Sequence, residues 1–385
     1  MLEEWFDISL REWVLMGALA VLFLVQFFWY ARYMCAPARE LRRKKKSTDE
    51  QPAETPGVSV VLTAHNEAYN LSQYLQALLT QDYPEYEVIV VDDGSEDDTR
   101  AVIESYQVHD VRLRRTFVPI GARVSSTKKL ALTLAAKAAK YDYLLLTEAD
   151  CVPESKHWIS TMMRGFKADK DVVLGFSTYF DEKGHLNRLM RYEGLFNGLH
   201  YLGAALCGHP YMGLGRNLAY RKSLFFESGG FTHQMTTQSG DDDLFVNHVA
   251  TKQNTAVVMA RESYTWSRTK KTLKEWLQQR RRHLAAESSY REGTKAQLAF
   301  EPTTRALFYL MAVALVAWYQ VSVVSLAVIG LFLLRWLFQT AVINVSARRM
   351  GLKRFSMFSV LWFDIVLPII TLWMLIVPKR IRKKY

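Results

Sequence analysis

Cysteine is scarce in this chain: Cys35, Cys151 and Cys207 are the only three among 385 residues, odd in number and far apart. That excludes a disulfide framework as the organising principle and suits a reducing compartment. Neither a Cys-x-x-Cys nor a His-Glu-x-x-His pattern occurs, so nothing supports a zinc site. No recognised nucleic-acid-binding motif accompanies the positive charge, which argues against a nucleic-acid partner. A glycine-rich phosphate loop is missing as well: Thr63 to Asn70, after the first strand signal, contains no glycine, against the expectation for a nucleotidyltransferase.

Charge is absent from two long stretches and nearly so from a third. Residues 13–30 and 306–334 carry none, and 355–378 carry only Asp364. Runs of this length are candidates to span a bilayer. The first is not patterned as a cleaved signal peptide, because its basic cluster, Arg42 to Lys46, follows the apolar run while Glu3, Glu4 and Asp7 precede it. The positive-inside rule then places residue 40 onward in the cytoplasm of an integral membrane protein, the inner or plasma membrane if bacterial. Net charge is +11, from 49 Lys+Arg against 38 Asp+Glu. Much of the excess lies at 42–46, 348–354 and 379–384, where topology explains most of it and attraction to membrane lipids or phosphates the rest.

The polar stretch 47–57, with two prolines, reads as a linker after an N-terminal anchor over 1–46 with its span at about 13–31. A globular segment follows over 58–300. Val58 to Leu62, Tyr86 to Val91 and Tyr143 to Leu146 read as buried strands. Asn70 to Gln81, the segment from Thr99, and Lys128 to Lys140 read as helices, with Asp97 or Asp98 as cap of the second. Strands alternating with helices predict an α/β domain with a mainly parallel sheet covered on both faces. The C-terminal region 301–385 predicts spans at about 304–320 and 322–345 with a tight turn near Tyr319-Gln320, and a segment at 357–377. Pro368 leaves that last segment open between a full span and a re-entrant hairpin. A basic tail ends the chain.

Several short motifs close these apolar runs. His65-Asn66-Glu67 ends the first strand, with Asn66 or Asn70 a possible cap. Asp92-Asp93-Gly94-Ser95 ends the second, and Glu148-Ala149-Asp150 the third. Acidic clusters at strand carboxyl ends lie where an open α/β sheet places its ligand. Glu148 and Asp150, two apart on an extended segment, point to one side and can reach one hard, oxygen-seeking cation. Lys128 opens a helix, a position unfavourable for a cation unless phosphate occupies that end. Lys129 reads as part of a solvated face. Asp241-Asp242-Asp243 opens another helix with more acid than capping needs, and Gln279-Arg280-Arg281-Arg282-His283 lies on a helix begun near Leu273.

In this order and spacing the motifs resemble the family 2 glycosyltransferases, in the membrane-bound branch that includes cellulose, hyaluronan and ceramide-sugar synthases. The resemblance covers about residues 58–290. It implies a GT-A fold, a Rossmann-like α/β domain facing the cytosol, flanked by one N-terminal and two to three C-terminal transmembrane helices. It implies a nucleotide-diphosphate sugar donor, expected to be a UDP-sugar, and a divalent cation, Mn2+ or Mg2+. By this resemblance Asp92 or Asp93 meets the nucleotide base, and His65 stands where a tyrosine usually stacks on it, with Glu67 beside it. Lys128 meets the diphosphate and Asp150 ligates the metal, assisted by Glu148, which stands for the usual Asp. Asp241 matches the general base, with Gly240 in place of the usual Glu; a shift of one residue makes Asp242 the base instead. Gln279 and Arg282 match a Gln-x-x-Arg-Trp motif in which His283 replaces Trp, and Arg282 meets the leaving diphosphate. Gly213 to Arg221 resembles the acceptor-side segment, and Gly229-Gly230-Phe231 the turn after it.

The expected function is inverting, metal-dependent sugar transfer to a lipid or lipid-linked glycan acceptor presented at the membrane. A processive polysaccharide synthase is the alternative within the class. A non-catalytic nucleotide-sugar-binding membrane sensor is the alternative outside it.

Overall fold

The computed structural model describes residues 9–44, 55–119, 124, 126–232, 240–320 and 322–377. Most of the expected linker (47–54), Lys45, Lys46 and the basic tail Lys379 to Lys384 lie outside the described residues. Among the described residues the chain divides into two compact units, one of residues 39–291 and one joining the residues up to 38 with 292–377.

The first unit is built on strands β1 (Val58–Ala64), β2 (Tyr86–Asp92), β3 (Leu113–Phe117), β4 (Tyr143–Leu146), β5 (Cys151–Pro153), β6 (Val172–Leu174), β7 (Ser177–Tyr179), β8 (Leu218–Arg221), β9 (Thr255–Val257) and β10 (Thr265–Ser267). Seven of them form one sheet in the order β3-β2-β1-β4-β8-β6-β9, and β5-β10-β7 form a small second sheet. β2, β1 and β4 run parallel, with Val58 opposite both Tyr86 and Tyr143, whereas β8 is antiparallel to both its neighbours. The mainly parallel sheet expected from the alternation is thus interrupted by one reversed strand. β1 and β2 are apolar along nearly their whole length because both faces are covered, and every residue of β2 is buried.

Helices in chain order are α1 (Leu10–Trp29), α2 (Ala36–Lys44), α3 (Ala68–Leu79), α4 (Thr99–Gln107), α5 (Thr127–Ala138), α6 (Trp158–Met163), α7 (His185–Leu206), α8 (Lys222–Glu227), α9 (Asp243–Val249), α10 (Leu273–Glu287), α11 (Glu292–Tyr319), α12 (Val323–Arg349) and α13 (Met357–Ile376). The apolar stripe of α3 (Leu71, Leu75, Leu78, Leu79) packs with Val60, Leu62, Val88, Val90 and Trp158 into one core. Asp98 occupies the cap position of α4, but it is Asp97 that accepts from the Thr99 N–H and also from the Ala68 N–H that opens α3. One carboxylate thereby fixes the starts of two helices beside the end of β1.

In the second unit α1, α11, α12 and α13 are each long and apolar enough to cross a membrane. The uncharged stretch 306–334 divides as expected, because Gln320 adopts a left-handed turn (φ 46°) and Ser322 caps α12. The question left open at 357–377 is answered by one uninterrupted helix of 20 residues that contains Pro368, so the C-terminal region holds three such helices. Loss of a single backbone donor at Pro368 is tolerated because the flanking turns keep their own bonds. α11, α12 and α13 meet at Asp364, and α1 joins them through Arg335. The Asp364 carboxylate accepts from Arg305 (2.6 Å), Gln339 (2.6 Å), Arg335 (3.0 Å) and the Tyr309 hydroxyl. Arg305 also pairs with Glu301 at 3.1 Å, and Gln26 of α1 accepts from Arg335.

Candidate active site

The carboxyl ends of β1, β2 and β4 share one edge of the sheet. The chain leaves β1 toward β2 on one side and returns to β4 on the other, which makes this edge a topological switch point. His65, Asp93 and Glu148 lie just past these ends. His65 Nδ1 is 2.7 Å from the Asp93 carbonyl oxygen. A carbonyl only accepts, so Nδ1 carries the hydrogen and the ring is held against the second strand end. Asn66 takes a left-handed conformation (φ 57°), and its side-chain oxygen accepts from the N–H groups of Glu96 and Asp97. Asn70 instead donates to Glu67 (2.5 Å), so neither asparagine caps the helix that follows. Burial raises the Glu67 carboxyl, and the charge of Asp150 adds to that rise, placing Glu67 within electrostatic reach of the acidic edge.

The two aspartates after β2 differ. Asp92 is buried, accepts from the Ser95 N–H of its own turn (3.0 Å) and lies 3.9 Å from Arg115. Asp93 accepts from the Thr127 hydroxyl (2.6 Å) at the first residue of α5, one position before Lys128. The turn consumes the first carboxylate, and the second links the β2 end to the helix that carries the cation.

Lys128 stands at the centre. Its ammonium lies 3.1 Å from Glu148 Oε1 and 2.9 Å from Asp241 Oδ2, so α5, the end of β4 and the start of α9 meet at one point. Burial opposes its charge, but Asp241, Glu148 and Asp242 hold it well above the usual lysine range. Arg216 reaches Glu148 from the other side (3.1 Å), donates to Ser267 Oγ and lies over the Tyr179 ring. Burial likewise opposes ionisation of Glu148, but Lys128 and then Arg216 outweigh it and hold the carboxyl down to about 2. Glu148, Asp150 and Cys151 offer ligand atoms within 4.8 Å of one another. Burial pushes the Cys151 thiol well up, so it remains protonated and the effective donors are the two carboxylates, a set that suits a hard cation.

Asp242 is half-buried and accepts from the Gly215 N–H. Burial, then the neighbouring charge of Asp241, pushes its carboxyl up to about 6. Gly240 has a φ of 83°, and a Cβ there would stand 2.6 Å from the Leu244 side chain and 3.0 Å from Ala286 on α10. No glutamate fits where the family pattern has one, because α9 packs directly on α10.

On α10, Gln279 is buried and its Oε1 has no hydrogen-bond partner among the described residues. Arg282 is exposed, and the next residue, His283, has Arg216 and Glu148 among its electrostatic neighbours, which brings this helix face to the acidic edge. Arg280 turns away to pair with Glu193, whose other oxygen accepts from Trp276 (2.7 Å).

Two basic residues depart from the sequence expectations. Lys129 is fully buried instead of lying on a solvated face. Arg216 received no individual role in the sequence, yet it is the second cation on Glu148. Its one signal is position, as the only charge in Gly213-Leu-Gly-Arg-Asn217 ahead of a buried strand.

The profile described as glycosyl transferase family group 2 matches residues 150–377, more than half of the chain, and that described as glycosyl transferase family 2 matches residues 59–229. Chondroitin synthase of Escherichia coli is 25% identical over 240 residues, covering 52% of this chain and 34% of that protein. Poly-beta-1,6-N-acetyl-D-glucosamine synthase of Staphylococcus epidermidis is 31% identical over 99 residues, covering 26% of this chain and 23% of that protein. The chain thus spans about a third or less of the length of these curated relatives. A mannosyltransferase of Pyrobaculum calidifontis, solved with GDP-Man and Mn2+, superposes with a TM-score of 0.59 at 18% identity, covering 88% of this chain and 98% of that one. That likeness shows the fold, which is GT-A.

Proposed function

We propose that this chain, which belongs to glycosyltransferase family 2, moves a sugar from a nucleotide-diphosphate sugar to an acceptor presented at a membrane, with inversion at the anomeric carbon. The observation that carries this reading is the Lys128 bridge. One ammonium held between Glu148 and Asp241 marks a point where a cation, a metal-ligating acid and the acid triplet of α9 meet at the switch edge of the sheet.

Glu148 and Asp150 are the residues to hold Mn2+ or Mg2+, which when bound supplies positive charge against the diphosphate. The base of the nucleotide lies by His65 and Asp93, with Asp92 maintaining the turn and Glu67 lining the edge. Lys128, freed from its carboxylates when phosphate arrives, and Arg282 meet the leaving diphosphate. Asp241 or Asp242, just ahead of α9, takes the proton of the acceptor hydroxyl as that oxygen bonds to the anomeric carbon and the bond to the diphosphate breaks. Asp241 matches the family position for this base. A specific observation favours Asp242: it faces the Gly213–Asn217 segment through the Gly215 N–H, with a carboxyl at about 6, close to the ideal for a base working near neutrality. Gln279, which matches the family's Gln-x-x-Arg motif and is buried with a spare oxygen, joins Arg282 in the site in this reading.

A lipid or lipid-linked glycan acceptor follows from four apolar helices in the same chain, with the sheet unit on the cytoplasmic side by the positive-inside rule. A processive polysaccharide synthase is the second reading, favoured by the two relatives named as synthases. The deciding experiment incubates the protein in lipid with Mn2+, membrane extract and a panel of radiolabelled nucleotide sugars. Label entering the lipid phase as single additions supports the first reading, and long products support the second. Donor binding without hydrolysis or transfer, across the panel, points to a nucleotide-sugar sensor and overturns both.

A further inference from the structure

The third acid of the triplet, Asp243, has no task in the chemistry above. It is the first residue of α9, and its Oδ2 accepts from the Tyr290 hydroxyl at 2.8 Å. Tyr290 is buried and lies three residues past the end of α10. One helical turn along α9, Asn247 Oδ1 accepts from the backbone N–H of Arg291 (3.0 Å), while its Nδ2 donates to the Tyr211 carbonyl (2.9 Å). Asp243 and Asn247 are four apart and so share a helix face. They grip two consecutive residues, Tyr290 and Arg291, which close the sheet unit immediately before α11 begins. The same end of α9 rests on α10 at Ala286, where Gly240 leaves room for no side chain.

We infer that Tyr290 is a positioning residue: its hydroxyl on Asp243, seconded by Asn247 on the next N–H, fixes the acid-bearing start of α9 against α10. Asp242 and Asp241 precede this grip by one and two residues. Without it they keep their identity and lose their aim toward Lys128 and Gly215, the two contacts that define the site. An aim lost by a fraction of an ångström lowers turnover more than donor binding, because the donor is held largely from the β1, β2 and β4 ends. The effect on turnover rests on the proposed transfer reaction; the effect on the order of α9 does not.

The test uses the full chain in lipid nanodiscs. Tyr290→Phe removes only the hydroxyl. It is expected to lower kcat about tenfold at unchanged donor KM, and to speed hydrogen exchange of the α9 amides. Asp243→Asn keeps an oxygen that accepts from Tyr290 and is expected to retain most activity, while Asp243→Ala falls to the Tyr290→Phe level. Tyr290→Phe combined with Asp243→Ala is expected to be no worse than either alone. If Asp243→Asn is as inactive as Asp242→Asn, the third acid is chemical and the inference is overturned. It is equally overturned if Tyr290→Phe leaves α9 exchange unchanged. Should the wild type transfer no sugar, the reaction is misassigned, and the exchange measurement alone decides the grip.

Discussion

In the sheet unit, Lys128 and Arg216 face Glu148 and Asp241; in the helical unit, Arg305 and Arg335 face Glu301 and Asp364. The ingredients are the same and the settings opposite. Asp364 is fully buried, and its oxygens are shared among two arginines, Gln339 and Tyr309, so the two acids and two arginines balance in charge. Around Lys128 and Arg216 the carboxylates outnumber the cations: Asp150 and Asp242 stand in excess of Glu148 and Asp241, and Glu148 and Lys128 remain partly open. A charge-balanced, buried network holds helices together. An open surplus of acid is a place prepared for a cation and for a proton in transit.

The sharpest break between the two regions is Asp242→Asn. It is expected to cut transfer about a thousandfold with little loss of folding stability, since it removes a base and, with it, a half-buried charge beside Asp241. Mn2+-dependent transfer assays and melting curves measure both, and wild-type turnover in this variant rules out Asp242 as the base. Asp364→Ala is expected to do the reverse, costing about 3–5 kcal/mol of stability by leaving buried Arg335 without a counter-charge and Arg305 with Glu301 alone. Detergent-resistant melting reports it, and an unchanged midpoint shows the network to be solvated. Chelation followed by Mn2+ or Mg2+ readdition is expected to abolish and restore transfer while leaving helix content constant by circular dichroism. Activity that survives chelation removes Glu148 and Asp150 from a metal role.

Smaller is the effect of Gly240→Ala, which places a Cβ against Leu244 and Ala286 at a positive φ and is expected to cost about 1–3 kcal/mol, read as a lower midpoint. Smallest is the pH response. Asp242 must be unprotonated to accept, so kcat is expected to rise through about pH 6 and level off above it. The stability term has the opposite sign: a raised carboxyl binds its proton better folded than unfolded, so this contribution is present at pH 4 and lost as pH rises through about 6. A kcat profile flat from pH 5 to 8 counts against the assignment.

Where a segment had length and period, the sequence was legible. The strands at 58, 86 and 143 and the helices packed on them follow from runs of apolar residues and their spacing. The three-residue strands β5, β6, β7, β9 and β10 carry no period to read. The 22-residue α7 escaped because it buries residues as dispersed as Asn187, Met190, Tyr192 and Tyr201, leaving no single stripe. Lys129 was misjudged for a related reason: one position turns a helical side chain by about 100°, which sends Lys128 to the carboxylates and Lys129 into the protein.

The order of residues alone determined that acids would stand at strand ends, that long apolar stretches at both ends could cross a bilayer, and that a family 2 pattern ran between them. These are local properties, written in consecutive side chains. Only the tertiary structure decided which acid meets which cation. Lys128, Glu148, Arg216 and Asp241 are spread over more than a hundred positions and acquire a common geometry only when parallel strands bring their ends to one edge. Whether Asp364 is a stray charge or the hub of three helices was decided in the same way, because a charge in apolar surroundings is explained by its partners, and they lie far along the chain.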